Sequence, residues 1–218
     1  MIPFIFNKVT PLILKELGLD GVKWGHCRVM VVVGDNAGGK SLLRRLFQTF
    51  LKKNKSDQTE VIHLSQQGRS TSGFVRTVVY GSEDDGATSV ISARTLVNSI
   101  RTSRGRENKH FIIYDEPEIG MSDESDLGAA IWLKEQLQDW PEQLRGIIIC
   151  THSRQFASQL MKLPYSKFIW MHHPEATVRE WLDRTIKPID PQKLMDVGLA
   201  RWRKITKIFE KNRKKNQK

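Results

Sequence analysis

Cysteine is scarce in these 218 residues, with Cys27 and Cys150 the only two. Both border apolar, strand-like runs, which argues against a disulfide framework or a cysteine-built metal site and for two small buried side chains. Long hydrophobic runs are missing as well: none approaches the ~18 residues that a membrane-spanning helix needs. The opening Met1-Ile2-Pro3-Phe4-Ile5-Phe6 has neither a basic leader nor a small-residue cleavage site, so no signal peptide is expected and the chain reads as cytoplasmic. There is no internal repeat and no long low-complexity segment, which excludes solenoids and fibrous classes. Acidic residues are also short, at 24 Asp and Glu against 35 Lys and Arg, for a net charge of +11. The excess is local. Nine Lys or Arg stand against the single Glu210 in Arg201–Lys218, so +8 of the charge belongs to a C-terminal tail and not to the domain before it. With 39% hydrophobic and 27% charged residues, the chain has the composition of a globular protein long enough to bury a core.

What the sequence does have is a glycine-rich turn between an apolar run and an amphipathic segment: Val31-Val32-Val33-Gly34-Asp35-Asn36-Ala37-Gly38-Gly39-Lys40-Ser41. Gly34 to Ser41 fits G-x-x-x-x-G-K-[ST], the P-loop. The residue types follow from the chemistry of phosphate. Gly34, Gly38 and Gly39 allow the backbone, with Asp35, Asn36 and Ala37, to wrap close and turn its N–H groups inward. Lys40 supplies a cation for the β and γ phosphates, and Ser41 a hydroxyl for Mg²⁺. The following helix adds its positive end. Leu43, Leu46, Phe47, Phe50 and Leu51 form one apolar stripe, leaving Arg44, Arg45, Gln48 and Lys52 to the polar face.

Further along, the pattern predicts strands at Glu60–Leu64, Phe74–Tyr80, Phe111–Tyr114, Gly146–Cys150, Lys167–Met171 and Val178–Leu182. Helices are expected at Ser89–Ser103, from Ser122–Asp123 to about Gln138, near Arg154–Met161, and from Pro191 onward. In the helix after Ser122, the residues expected to face inward are Leu127, Ala130, Ile131, Leu137 and the stem of Lys134. Pro11–Leu19 reads equally as a short helix or a strand pair. The alternation implies an α/β fold, a mostly parallel sheet with helices on both faces. The expected division is 1–190 for the P-loop domain and 191–218 for a C-terminal helix with a basic tail.

Two further strand ends carry chemistry. Asp115-Glu116-Pro117 follows the apolar Phe111-Ile112-Ile113-Tyr114, about 75 residues after the P-loop. Asp115 at a strand's carboxyl end suits Mg²⁺ through its water shell. Glu116 is then placed to serve as base or orienter for a water attacking the γ-phosphate. His152 follows Ile147-Ile148-Ile149-Cys150, where a parallel sheet presents ligands, and an imidazole there suits a γ-phosphate contact. Phe4, Phe6 and Trp24 are the aromatics available to stack on adenine, although core packing suits each of them as well.

Taken together, Gly34–Ser41, Ile112–Pro117 and Ile148–Ser153 resemble the ATP-binding-cassette class of ATPase. Asp115-Glu116-Pro117-Glu118-Ile119-Gly120 is most similar to the soluble SMC-, RecF- and OLD-like members and not to transporter cassettes. The resemblance covers roughly residues 28–155. It implies a P-loop NTPase that uses ATP and Mg²⁺ and dimerises on binding ATP, or works within a hetero-complex. It also implies Gln66 or Gln67 as the glutamine near Mg²⁺, and Met121-Ser122-Asp123 as a loop reaching across the dimer. Where the family signature stands, Ser89-Val90-Ile91-Ser92-Ala93-Arg94 keeps serines but lacks the glycine pair.

The function expected is therefore ATP hydrolysis driving a dimer or conformational switch, in a nucleic-acid or defence process. Arg201–Lys218 is the segment that would neutralise DNA or RNA phosphates. A RecA- or AAA+-like motor shares the fold-level features. A nucleoside or nucleotide kinase shares the P-loop, with Arg101, Arg104 and Arg106 as its lid.

Overall fold

A computed structural model of the chain describes residues 11–19, 22, 26–34, 39–53, 59–65, 88–173, 175–185 and 188–215. Its centre is β1 (Val29–Val33), five residues with every side chain buried, as a strand covered on both faces requires. The other strands are β2 (Glu60–Ser65), β3 (His110–Asp115), β4 (Leu144–Cys150) and β5 (Ser166–Trp170). All pair in parallel, in the order β2-β3-β4-β1-β5.

The helices follow in chain order as α1 (Pro11–Glu16), α2 (Lys40–Lys53), α3 (Thr88–Arg104), α4 (Asp123–Gln136), α5 (Arg154–Leu160), α6 (Val178–Asp183) and α7 (Pro191–Lys215). The connection from β1 to β2 crosses the sheet one way, and each later one runs back. Right-handed crossovers then put α2 on one face and α3, α4 and α5 on the other. The packing agrees. Met30, Val32, Phe111, Ile113, Ile148 and Cys150 meet Ile13 of α1, Leu17 just past its end, and Leu43, Leu46 and Phe47 of α2. Val29, Val31, Ile112, Tyr114, Ile147 and Ile149 meet Leu96 and Ile100 of α3, Leu133 of α4, Phe156 of α5 and Trp181 of α6.

The undecided Pro11–Leu19 segment is helical. The predicted strand at Val178–Leu182 is instead α6. The Thr177 hydroxyl accepts from the Glu180 N–H while the Glu180 carboxylate takes the Thr177 N–H, a capping box that closes the first turn and sends Trp181 into the core. In α4 the buried residues are Ala130 and Leu133, followed by Leu137 just past its end, with Leu127, Ile131 and Lys134 only half-buried. The inward face is thus rotated from the one expected. Phe74–Tyr80 lies outside the described residues. Asp190 accepts from Gln192 and Lys193 N–H and leads into Pro191, a start that suits α7. α7 packs against α1 and leaves Met195, Leu199 and Trp202 exposed. No helix among the described residues is long and apolar enough to cross a membrane.

Candidate functional site

In an open parallel sheet, ligands meet the carboxyl ends of adjacent strands whose following helices lie on opposite faces. Here those strands are β1 and β4, leading to α2 and α5. Lys40, the first residue of α2, is buried at that point. Its Nζ donates to the Gly34 carbonyl at 2.9 Å and lies 2.8 Å from His152 Nε2. The same ring nitrogen is 3.3 Å from Glu116 Oε1. Residues 40, 116 and 152 thus converge from three segments of the chain. The imidazole nitrogen serves its neighbours by turns: bare, it accepts from Lys40; protonated, it donates to Glu116. Burial holds the Lys40 ammonium below its usual range, opposed chiefly by the Glu116 carboxylate. The His152 hydrogen bond holds Glu116 below the ordinary carboxylate range, so it is ionised at neutral pH.

Glu116 also has an unusual backbone. Its φ is +54°, in the left-handed region that few residues other than glycine adopt. The conformation lets its N–H donate to the Cys150 carbonyl at 2.8 Å, so the end of β3 is tied to the end of β4. Gly120 closes the same turn at φ +78°, where a Cβ would stand 2.6 Å from Thr88 Cγ2. Gly34 is constrained by packing: a Cβ there would come within 2.9 Å of Met171 Cβ.

Asp115 faces Arg44. The Arg44 Nε lies 3.2 Å from Asp115 Oδ2, off the line of a hydrogen bond, and Nη1 of the same guanidinium bonds the His63 ring. The expectation that Arg44 lies on the polar face of α2 is corrected: it is 5% exposed, drawn inward by this carboxylate. Burial raises the Asp115 carboxyl above its usual range in spite of the guanidinium. Ser41 is exposed on the first turn of α2.

The turn from β4 into α5 is set by acceptors in sequence. Thr151 N–H reaches the Val32 carbonyl at 3.0 Å. His152 N–H reaches Glu118 Oε1 at 2.9 Å, and Ser153 N–H reaches Thr151 Oγ1 at 2.9 Å. Ser153 Oγ donates to Asp126 Oδ2 at 2.6 Å and caps α5 by accepting from Phe156 N–H. Burial pushes the Glu118 and Asp126 carboxyls up.

Of the residues expected from the sequence, Gly34, Lys40, Asp115, Glu116 and His152 come together. Asp35, Asn36, Ala37, Gly38, Gln66 and Gln67, with Phe4, Phe6 and Trp24, lie outside the described residues. Gly39 has φ +100°, as its place in the turn requires. Ser92, in the segment at the signature position, is buried and donates to the Ile119 carbonyl at 2.7 Å, so it is spent within its own chain. Ser122 caps α4. Arg104 and Arg106 bond Asp139 and Glu60 near the amino ends of the strands, the far end from Lys40. Sequence reasoning missed Arg44 and Glu118. An acidic residue two places after Glu116, in a turn, looks solvated, and only its acceptor role toward His152 distinguishes it.

No protein-family model and no curated protein matches the chain. Among solved structures, a chain of the E. coli MS115-1 HORMA:CdnC:Trip13 complex is similar over 90% of this chain and 68% of that one, at 10% identity and a TM-score of 0.42. A likeness at that score carries no argument.

Proposed function

We propose that this chain is a P-loop ATPase of the cassette type that binds ATP at the carboxyl ends of β1, β3 and β4 and hydrolyses it to ADP and phosphate. One observation carries the reading: Lys40, Glu116 and His152 meet within hydrogen-bond or ion-pair distance at the switch point of the sheet. Lys40 is the phosphate cation. Its Nζ lies against the Gly34 carbonyl and His152 Nε2, within reach of the place where the β and γ phosphates would sit. Glu116 orients the attacking water and accepts its proton as the γ-phosphorus–oxygen bond to ADP breaks. An ionised carboxylate is what that role requires. His152 contacts the γ-phosphate and passes the change to Glu116.

The oxygen donors present fit magnesium, which takes one or two carboxylates together with phosphate oxygens and water. Ser41 and Asp115 would hold it, once Asp115 is released from Arg44. Bound there, the ion would neutralise charge developing on the phosphates. Among the described residues no three His, Cys, Asp or Glu side chains gather as a complete cage.

The working form is an ATP-dependent homodimer or a hetero-complex, with Arg201–Lys218 contacting DNA or RNA. Trp202, Arg203, Lys204 and Lys207 are exposed on α7 and available to it. With Ser92 engaged internally, the dimer contact falls to other residues of the segment. The test is sedimentation of Glu116→Gln with and without Mg-ATP, repeated with a short DNA duplex. Slow hydrolysis, an ATP-dependent dimer and retained DNA are expected. Hydrolysis at the parental rate would remove Glu116 from the proposed role. A monomer that binds ATP without dimerising or holding DNA would favour a kinase.

A further inference from the structure

We infer that Glu118 is the positioning residue for His152, acting through the backbone of residue 152 and not through its ring. The inference rests on the ATPase reading for its purpose, but not for its geometry.

His152 stands where the β4 ladder has ended and α5 has not begun. Thr151 still borrows the Val32 carbonyl, and Ser153 is already the α5 cap. Between them, the His152 N–H has no strand or helix partner. A partly buried N–H left unpaired is destabilising, because folding strips it of water without replacing the bond. Its acceptor is Glu118 Oε1, brought by the turn that also carries Glu116. One short segment therefore places both ends of the Glu116–His152 contact: the Glu116 carboxylate by its left-handed backbone, and the imidazole by the Glu118 carboxylate under its N–H.

The cost of this arrangement argues for its use. Beyond the His152 N–H, the Glu118 carboxylate is eased only by its own N–H and the Thr151 hydroxyl, and Asp126, whose Oδ2 holds Ser153, keeps a buried Oδ1. Desolvating carboxyl oxygens in this way is expensive where an apolar turn would serve to pack. Their working oxygens fall on consecutive residues, 152 and 153. Together they fix the direction in which the chain leaves β4, and hence where the His152 ring points. The buried site supports the same view: burial and the nearby Asp126 push the Glu118 carboxyl up. Either protonation state of Glu118 still offers Oε1 to an N–H.

The test compares Glu118→Gln, which keeps an acceptor oxygen, with Glu118→Leu, which does not. The primary readout is the His152 ring resonances by NMR in the nucleotide-free protein. Glu118→Leu is expected to shift them, with unfolding behaviour otherwise two-state, and Glu118→Gln to leave them close to the parent. The second readout separates binding from turnover. Nucleotide affinity should hold in Glu118→Leu while kcat falls, on the order of 100-fold, as displacement of a reacting group by about 1 Å entails. Unchanged His152 resonances in a folded Glu118→Leu protein would overturn the inference, as would an equal shift in Glu118→Gln. If Glu118→Leu does not fold, Glu118→Asp replaces it, withdrawing the oxygen by one methylene. There a parental His152 spectrum would overturn the inference. Should the protein prove not to hydrolyse ATP, the turnover readout falls silent and the resonances still decide.

Discussion

Comparing Gly with Ala at position 116 would test whether the Glu116 backbone is held under strain. Both substitutions remove the carboxylate and its contact with His152, so that loss cancels between them. What differs is the Cβ. At φ +54° an L side chain meets the following carbonyl, costing roughly 1–2 kcal/mol. Glycine escapes this but loses about 0.5–1 kcal/mol through the extra freedom of its unfolded chain. The usual order, with Ala ahead of Gly, should therefore reverse, leaving Glu116→Gly more stable than Glu116→Ala by about 1 kcal/mol. In a chain of this size that is a difference of roughly 2–4 °C in Tm, well resolved by calorimetry or by urea unfolding with a shared slope. The Glu116 N–H bond to the Cys150 carbonyl survives in both variants and does not blur the comparison. If Glu116→Ala proved as stable as Glu116→Gly, or more so, the left-handed backbone would not be a source of strain, and the claim that the fold holds Glu116 against its preference would fail.

Gly120→Ala combines a positive φ with a Cβ pressed onto Thr88, so a loss of roughly 1–3 kcal/mol is expected in denaturant unfolding. Adding Thr88→Ser should recover part of it by removing Cγ2, and no recovery would refute the steric explanation. His110 is buried, its Nδ1–H donating to the Asn108 carbonyl at 2.9 Å and its Nε2 2.7 Å from Ser103 Oγ, and burial holds its pKa below 6.5. The unfolded chain then takes up this proton first as pH falls. The stability His110 contributes is complete above about pH 6.5 and is lost below it, with a slope of at most about 1.4 kcal/mol per pH unit. The difference between parent and His110→Gln stability should shrink as pH falls from 7 to 5; a constant difference would exclude titration of His110.

The central strand was legible because five apolar residues in a row admit little else. Strand order was not legible: it depends on segments more than a hundred residues apart, and nothing local to Val29–Val33 names Ile147–Cys150 as a neighbour. α6 was misread because Val178 and Trp181 are strand-favouring residues in a run too short to show a helical period, whereas the reciprocal Thr177–Glu180 bonds decide the matter. Arg44 was misread for the opposite reason. Helical periodicity assigned it to the polar face with Arg45, but the Asp115 carboxylate, half-buried at the end of β3, draws Arg44 alone inward while Arg45 stays exposed. Glu118 escaped because a carboxylate bonding a backbone N–H has no signature in spacing.

The place of β1 in the sheet has a consequence for how the chain is made. Its hydrogen-bonding partners are β4 and β5 alone, and Val29 meets Ile147 across roughly 120 intervening residues. A nascent chain that has emerged only as far as β3 can pair β2 with β3, yet it leaves Val29–Val33 with both edges open. Such a run of β-branched and apolar residues is a template for wrong pairing for as long as it waits. Loop closure over this distance also makes its pairing slow. During synthesis the most buried strand of the finished protein is thus its most vulnerable, and the site at its carboxyl end cannot form until β4 arrives.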